Sequence, residues 1–562
     1  MKKKIFCILV FLGNILLSQV SVNQIGYFPD SQKFAYFQNP TKSFDIINAQ
    51  NDNIVFQGKA GLWKTNDPVT GHTIYKADFS KFKTLGEYYI KSEKDEKSYS
   101  FSISENIFNK LYNKSVKTFY IQRCGMELDQ KYACDFSHAE CHIEEALYHS
   151  HTNRTGTREV SGGWHDAGDY GRYIVNGAYS VAVMLLGYEL FPAGFQCDNI
   201  GIPESENGIP DLLDEIRYEL EWMLKMQDDD GGLFHKVTED AFQTLDLHPD
   251  KDEKSQYITI KTTAATADFT VAMAQSARIF KRYDKTFAKN CKVAALKAWE
   301  YLEANPKIVP DGGFKNPEDL HTGQYDDKND NDERLWAAVE MYRTFKKQKY
   351  NNFFKENIKN TELFPIEIAW RDVAPFAIVN YLKHAKNFSN KKIKHFLSSE
   401  LKNYCNNMVS RRNNDGYQAL LIPGDYRWGS LQIDLNFGLI LLAGGYEFDN
   451  EEYKNAAIDQ INFILGANGL NKSFVTGFGE NSASKVHNRI CSLSDNWEIY
   501  PGFLVGGPNE NLEDRLLQEK FKNNTTPGLC YIDSRDSYAS NETCINWNAI
   551  LVVYAGYLNG ME

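Results

Sequence analysis

Two spacings of apolar residues divide the chain. From about Ser21 to Ser104, short apolar runs recur at Lys33–Phe37, Asp45–Ile47, Asn53–Phe56 and Glu87–Ile90, separated by Asn, Asp, Gly and Pro. This is the rhythm of short antiparallel strands, and it predicts a small all-β, Ig-like sandwich over residues 19–104. No acid pair or metal cluster stands out there. At about Ile107 the period lengthens: Phe108, Leu111 and Tyr112 open a helical spacing that runs toward Tyr120. The clearest case is Pro210–Gln227. Its Leu212, Leu213, Ile216, Leu220, Met223 and Leu224 share a face, Pro210 suits the first turn, and Gly231-Gly232 follow the end. Ala264–Phe280, Asp332–Phe345, Ile366–Leu382, Leu431–Tyr446 and Glu452–Leu465 repeat the theme, and Asn546–Leu558 closes the chain. Helices alternating with polar loops predict a mainly α helical barrel or toroid over 105–562, with the loops at one end as the active face. No strict repeat is visible, so closure is an inference from the alternation.

The ends and the charge refine this picture. Met1–Ser18 combines three lysines with an apolar run, the pattern of a secretory signal peptide, and implies export to the periplasm or beyond. Cleavage after about Ser18 leaves 59 basic against 74 acidic residues, a net −15. That balance argues against nucleic acid and anionic membrane as partners, while a neutral polymer would not be repelled. Aromatic residues make up 14% of the chain, an excess that suits long apolar helices or the stacking of flat ligands such as sugar rings. Nine cysteines remain beyond the leader at scattered positions, which is no disulfide-dense scaffold.

Candidate chemistry centres on Ser161–Tyr173. Asp166 and Asp169 lie three residues apart among Gly162, Gly163, Gly168 and Gly171, with Trp164, Tyr170 and Tyr173 alongside. Glycines allow tight turns and close approach to a ligand, and paired carboxylates can do acid/base work or hold a metal. A turn with solvated acids is the plainer reading of such a D-x-x-D. A second anchor is Glu542, just ahead of an apolar helix start, where Asn-Glu also serves as a favourable cap and first-turn charge.

Taken together, these segments resemble the glycoside hydrolase family 9 cellulases, in the branch with an N-terminal Ig-like domain. The resemblance runs almost end to end after the leader: Val22–Tyr27 (VNQIGY), Gly162–Tyr170 (GGWHDAGDY), Ile209–Glu215 (IPDLLDE), Leu465–Asn468 (LGAN), Phe474–Gly479 (FVTGFG), Leu504–Asn509 (LVGGPN) and Asn541-Glu542. It implies an (α/α)6 barrel, an open groove and hydrolysis of β-1,4-glucosidic bonds with inversion. It further implies Asp169 as the general base, Asp166 as its helper in holding the water, and Glu542 as the general acid. Inversion needs the acid and base on opposite faces of the sugar, roughly 6.5–9.5 Å apart. Lys485–Arg489 resembles the family's Pro-His-His-Arg loop, which hydrogen-bonds sugar hydroxyls. His487 and Arg489 match, while Val486 and Asn488 replace the Pro and the second His. Trp370 and Trp428 are candidate stacking platforms, with a packed core ring as an equal reading. In the Tyr426–Ser430 loop region, Leu431 stands where the family often has Asn.

Metals enter by the same route. Cys124, Cys141, His142 and His165 are ligand types that suit tetrahedral structural zinc, although their spacing is no finger pattern. The resemblance to zinc-containing members points to zinc; the alternative is a Cys124–Cys141 or Cys134–Cys141 disulfide. With zinc bound, His165 would brace the catalytic turn. The acidic stretch Tyr325–Glu333 is rich in hard oxygen donors, and by resemblance Asp332 and Glu333 would hold calcium; a helix N-terminal acid cluster competes with that reading. No organic cofactor is expected. The expected activity is a secreted endo-β-1,4-glucanase acting on cellulose-like β-glucans. The alternatives are an exo-acting β-glucosidase or glucosaminidase of the same family, a xyloglucan or mixed-linkage glucan hydrolase, and, more remotely, a non-catalytic glycan-binding protein. No dockerin-like duplicated calcium segment is evident.

Overall fold

The structure is a computed structural model that describes residues 20–388, 390–523 and 526–561; the leader lies outside them. Eight strands build the N-terminal sandwich. Their order is Val20–Ser21, Phe34–Phe37, Ile74–Asp78, Ile54–Lys64, Ser43–Asn48, Gly86–Ser92, Phe101–Ile103 and Gly26–Tyr27. The long strand Ile54–Lys64 pairs with Ser43–Asn48 through one part and with Ile74–Asp78 through the other, and so joins the two layers. Period-two alternation turns Tyr88 and Ile90 inward onto a core that includes Tyr27, Phe37, Phe44, Phe79 and Phe101.

Beyond the sandwich, twelve longer helices alternate between two rings among the described residues. Ile174–Leu190, Thr263–Ile279, Asn331–Phe345, Ala374–Lys383, Ser430–Phe448 and Ile545–Asn559 each pack on the next, and the last packs on the first. The ring is therefore closed. Asn109–Ile121, Asp211–Met226, Lys285–Ala304, Gln348–Asn357, Lys391–Asn414 and Glu451–Ile464 surround it. The sequence sorts them by polarity. Ile545–Asn559 buries every residue from Ile545 to Leu558, as an inner helix must, whereas Asp211–Met226 keeps a polar face outward.

Three local expectations need correction. The helix expected over Ile366–Leu382 begins only at Ala374, where Pro375 fits the first turn; residues 366–373 form a loop with Ile366 exposed. Ile174–Leu190 escaped the helical reading because it is buried on nearly all sides and shows no amphipathic period. A five-stranded sheet also lies inside the helical domain, in the order Thr157–Arg158, Ala146–Tyr148, Tyr257–Ile258, Lys236–Thr238 and Arg172–Tyr173. Strands of two or three residues are too short for alternation to register.

This architecture gathers the candidate residues. Asp166 and Asp169 precede Ile174–Leu190, Tyr325 precedes Asn331–Phe345, Trp370 precedes Ala374–Lys383, Trp428 precedes Ser430–Phe448, and Glu542 precedes Ile545–Asn559. Every one lies on a loop that enters the N-terminus of an inner helix, so one mouth of the ring collects them all.

The Val22–Tyr27 motif has a job the sequence did not disclose. Asn23 Oδ1 accepts from the amides of Ile25 (2.9 Å) and Gly26 (3.2 Å), while its Nδ2 donates to Asn462 Oδ1 on the barrel (2.9 Å). Gln24 Nε2 donates to Asn471 O (3.0 Å), and its Oε1 accepts from Asn481 N (2.9 Å). The motif clasps the sandwich to the barrel through buried bonds. Asn23→Ala and Gln24→Ala are each expected to destabilise the protein by about 1–3 kcal/mol, the cost of stranding buried polar partners. Thermal unfolding checks this; unchanged transitions would mean that apolar contact alone holds the domains.

Candidate active site

The catalytic turn is built on glycines where the backbone leaves no choice. Gly163 has φ +80°, and a Cβ there would meet the Trp222 ring at 2.7 Å. A Cβ on Gly168 would lie 2.5 Å from His487 O and 3.0 Å from Glu542 Oε1. The turn is braced from behind: Trp164 N donates to the buried Glu219 carboxylate (2.6 Å), and Arg172 Nη1 donates to Val160 O and Gly162 O (2.7 Å each).

Both aspartates are buried, and each is oriented differently. Asp169 Oδ2 accepts from Gly171 N (3.0 Å) and Tyr173 OH (3.3 Å), which leaves Oδ1 for a ligand. Asp166 Oδ1 accepts from Asn176 Nδ2 (2.6 Å) and Oδ2 from Tyr325 OH (2.6 Å). Burial pushes the Asp166 carboxyl up to about 8, helped by the charge of Asp169. Burial also raises Asp169, but Arg489, the Gly171 amide and the Tyr173 hydroxyl work against it. A close pair of this kind shares its charge, and Arg489 draws that charge to Asp169.

Glu542 arrives from the far end of the chain. Its Oε1 accepts from Gly168 N at 3.3 Å, so the acid sits against the turn that carries the aspartates. Burial and the Asp169 charge push Glu542 up to about 8, which keeps it protonated near neutrality. The segment 487–489 lies between the two: His487 pairs with Glu542 as a parallel bridge, and Arg489 N donates to Gly168 O (3.2 Å).

These residues line a groove of about 910 Å³. Trp370 reaches it half-buried, packed edge-on to Tyr325 with ring centroids 5.1 Å apart. Trp428 is 41% exposed and lies on Tyr538, centroids 5.3 Å apart, so both tryptophans face the groove instead of filling a core. His487 spends Nδ1 on Arg535 O (2.7 Å), leaving its other nitrogen for a ligand. Arg489 is engaged first by the protein, donating from Nε to Gln243 O (3.0 Å) and from Nη1 to Gly168 O. Asn488 is buried, and its Nδ2 donates to Ala167 O (3.2 Å) and Thr543 Oγ1 (2.8 Å). Asn488, one of the two departures from the family pattern, therefore ties the aspartate turn to the segment that carries Glu542, with its side chain directed into the protein. Sequence reasoning missed Asn176, Tyr325, Phe242, Tyr538 and Trp547 in this site. No local sequence signal marks them; Tyr325 enters the site with a left-handed φ of +47°, which an aromatic residue adopts under constraint.

Cys124, Cys141, His142 and His165 converge beside the turn, all buried, with one donor atom of each within 4.8 Å of the others. Cys124 Sγ lies 3.6 Å from His142 Nδ1, and Cys141 Sγ lies 4.0 Å from His165 Nε2. A tetrahedral zinc with S and N ligands separates such atoms by about 3.5 Å, so the set fits that ion. Burial opposes a Cys124 thiolate, yet Cys141, Arg172 and the two imidazoles outweigh it and hold Cys124 well below the usual thiol range. Cys124, Cys134 and Cys141 are all unbridged, so neither alternative disulfide is present.

Asp332 and Glu333 occupy the first turn of Asn331–Phe345, both buried. Asp332 Oδ2 accepts from Val373 N (2.7 Å), but both oxygens of Glu333, both of Asp268 and one of Asp327 are buried without hydrogen-bond partners. Burial and mutual repulsion raise Asp268, Asp327, Asp332 and Glu333 together. Orphaned carboxylates in this number exceed what a helix cap needs, yet no three of them bring ligand atoms within 4.8 Å of one another as they stand.

The comparison with known proteins decides the family. The glycosyl hydrolase family 9 model matches residues 108–555, and the cellulase N-terminal ig-like domain model matches 17–97. The chain belongs to glycoside hydrolase family 9. It is a glycoside hydrolase with an Ig-like N-terminal domain. Endoglucanase D of Acetivibrio thermocellus is 32% identical over 551 residues, covering 96% of this chain and 84% of that one. A xyloglucan-specific endo-beta-1,4-glucanase of Bacteroides ovatus is 33% identical, covering 96% and 94%. The solved Zn-binding triple mutant of family 9 endoglucanase J30 superposes with a TM-score of 0.87 at 28% identity, covering 95% of this chain and 99% of that one.

Asn488→Ala removes the link between base turn and acid strand. In this family 9 enzyme kcat is expected to fall about 10- to 100-fold, the scale of a small misplacement of catalytic groups, with KM little changed. Steady-state kinetics on a soluble β-glucan tests this; an unaltered kcat would show that the turns keep their spacing without Asn488.

Proposed function

We propose that the protein is an exported endo-β-1,4-glucanase that cleaves cellulose-like β-glucan chains by a single inverting displacement. The observation that carries the reading is the Gly168 N–Glu542 Oε1 contact, which seats a carboxyl that burial and the Asp169 charge keep protonated against the turn bearing the two aspartates. Asp169 Oδ1 takes a proton from a water held between it and Asp166. That water attacks the anomeric carbon as the bond to the leaving oxygen breaks. Glu542 delivers its proton to that oxygen, and solvent exchange resets both carboxyls. Rings from separate loops, Phe242, Trp370, Trp428 and Tyr538, offer stacking faces along the groove, which supports binding of a chain over a single sugar. Xyloglucan is the second reading, favoured by the Bacteroides ovatus relative; a polysaccharide panel with product sizing separates it from cellulose, and early release of monosaccharide alone would contradict endo action. Export rests on the leader, Met1–Ser18.

Zinc would be held by Cys124, Cys141, His142 and His165 and serve as a brace for the turn at His165, taking no part in the displacement. Calcium would be held by Asp332 and Glu333, neutralising carboxylates that otherwise repel one another and their neighbours Asp327 and Asp268.

Asp169→Asn and Glu542→Gln are each expected to lower kcat on polymer by about 10²–10⁴-fold. On an aryl cellobioside whose leaving group needs no proton, Glu542→Gln should recover much of its rate while Asp169→Asn should not; equal recovery would undo the assignment of roles. The pH profile of kcat/KM should be bell-shaped. Its alkaline limb should fall through about 8 as Glu542 loses its proton, and its acid limb should fall as Asp169 gains one. Removing calcium with EGTA should lower the melting temperature, since a ligand at a thousand times its Kd adds about 4 kcal/mol; an unchanged transition would speak for an empty acid cluster.

A further inference from the structure

His142 turns its two nitrogens to different partners. Nδ1 faces Cys124 within the metal cage, while Nε2 lies 3.4 Å from Asp252 Oδ2, both side chains 1% exposed. Glu239 completes this outer group: one atom each of His142, Glu239 and Asp252 lie within 4.8 Å of one another. Glu239 Oε1 accepts from Gln243 Nε2, and its Oε2 is buried with no hydrogen-bond partner. These two carboxyls are the ends of one loop. Between them, Phe242 stands 49% exposed at the groove, Gln243 O accepts from Arg489 Nε (3.0 Å), and Leu247 O accepts from Tyr170 OH (2.6 Å). The Tyr170 ring in turn lies against His165 and His142, at 4.8 and 5.5 Å.

We propose that Asp252, with Glu239 beside it, orients the zinc ligand His142 and thereby fastens loop 239–252, so that the metal cage positions the groove wall at Phe242 and Arg489 as well as the catalytic turn. The inference rests on the zinc reading above. A carboxylate that accepts the second N–H of a metal-bound imidazole fixes the ring and strengthens the ligand. Here that carboxylate is also a loop anchor. Asp252 and Glu239 are positioning residues; neither touches the reacting atoms.

The test begins with zinc content per chain of the purified full-length enzyme. Absence of zinc would refute the zinc reading itself, before any variant is made. With one zinc bound, hydrogen exchange is compared between zinc-loaded and zinc-stripped wild type. Residues 239–252 should exchange markedly faster without zinc while the outer helix Lys391–Asn414 is unaffected; identical exchange in the loop would overturn the proposal. Asp252→Ala should release zinc to EDTA about 10- to 100-fold faster than wild type. Its zinc-loaded form should show a KM for cellopentaose raised by more than kcat falls. Wild-type zinc release, an unchanged KM, or a second bound metal ion between His142, Glu239 and Asp252 would each contradict it. Asp252→Asn, which keeps the shape and one acceptor oxygen, is expected to fall between the two and serves if the alanine variant does not fold.

Discussion

At Gly168 the two ends of the catalytic domain meet. The amide of this residue donates to Glu542, its carbonyl receives the amide and guanidinium of Arg489, and a side chain there would collide with His487. The aspartate turn, Glu542 and the segment between them thus converge on one residue without a Cβ. The chemistry requires this crowding. Two carboxyls must differ in protonation at one pH, and a shared, water-poor neighbourhood lets the charge of one hold the proton on the other.

Everything else in the fold serves that meeting. Glu542 is 373 residues beyond Asp169 in the chain, and only a closed ring places the last inner helix against the first. The ring closes because its inner helices are buried on nearly every side and can be satisfied only by neighbours on both flanks. Each inner helix then delivers its N-terminal loop to the same mouth. The metal cage works at smaller range. Segment 122–125 runs beside 162–165, with Cys124 N donating to Gly163 O (2.8 Å) and His165 N to Gln122 O (2.7 Å), so the outer helix Asn109–Ile121 holds the turn in register even before an ion is considered.

Much of this was legible in the residues. The change of apolar period near Ile107 separates the two folds, and the family resemblance pointed to Asp166, Asp169 and Glu542, which line one groove. What escaped notice did so for physical reasons. Ile174–Leu190 has no polar face, so its period is silent. Pro375 places a helix start inside an apolar run that looks continuous. Asn488 stood only as a departure from the family's loop, because a sequence shows substitution and not direction; its side chain points into the protein. Tyr325 and the outer carboxyls Glu239 and Asp252 act across long sequence distances, through contacts that only the folded chain creates, while Asn176 lies close to Asp166 in sequence but inside the helix whose period is silent.

The central claim is that Asp169 and Glu542 act from opposite faces of the sugar in a single displacement. The anomeric configuration of the newly released end tests it most directly. Proton NMR of a soluble cello-oligosaccharide in the first minutes of hydrolysis, before mutarotation, should show the α-anomer appearing first. The β-anomer appearing first would mean a double displacement with a covalent intermediate, and the assignment of Asp169 as a base acting through water would be wrong.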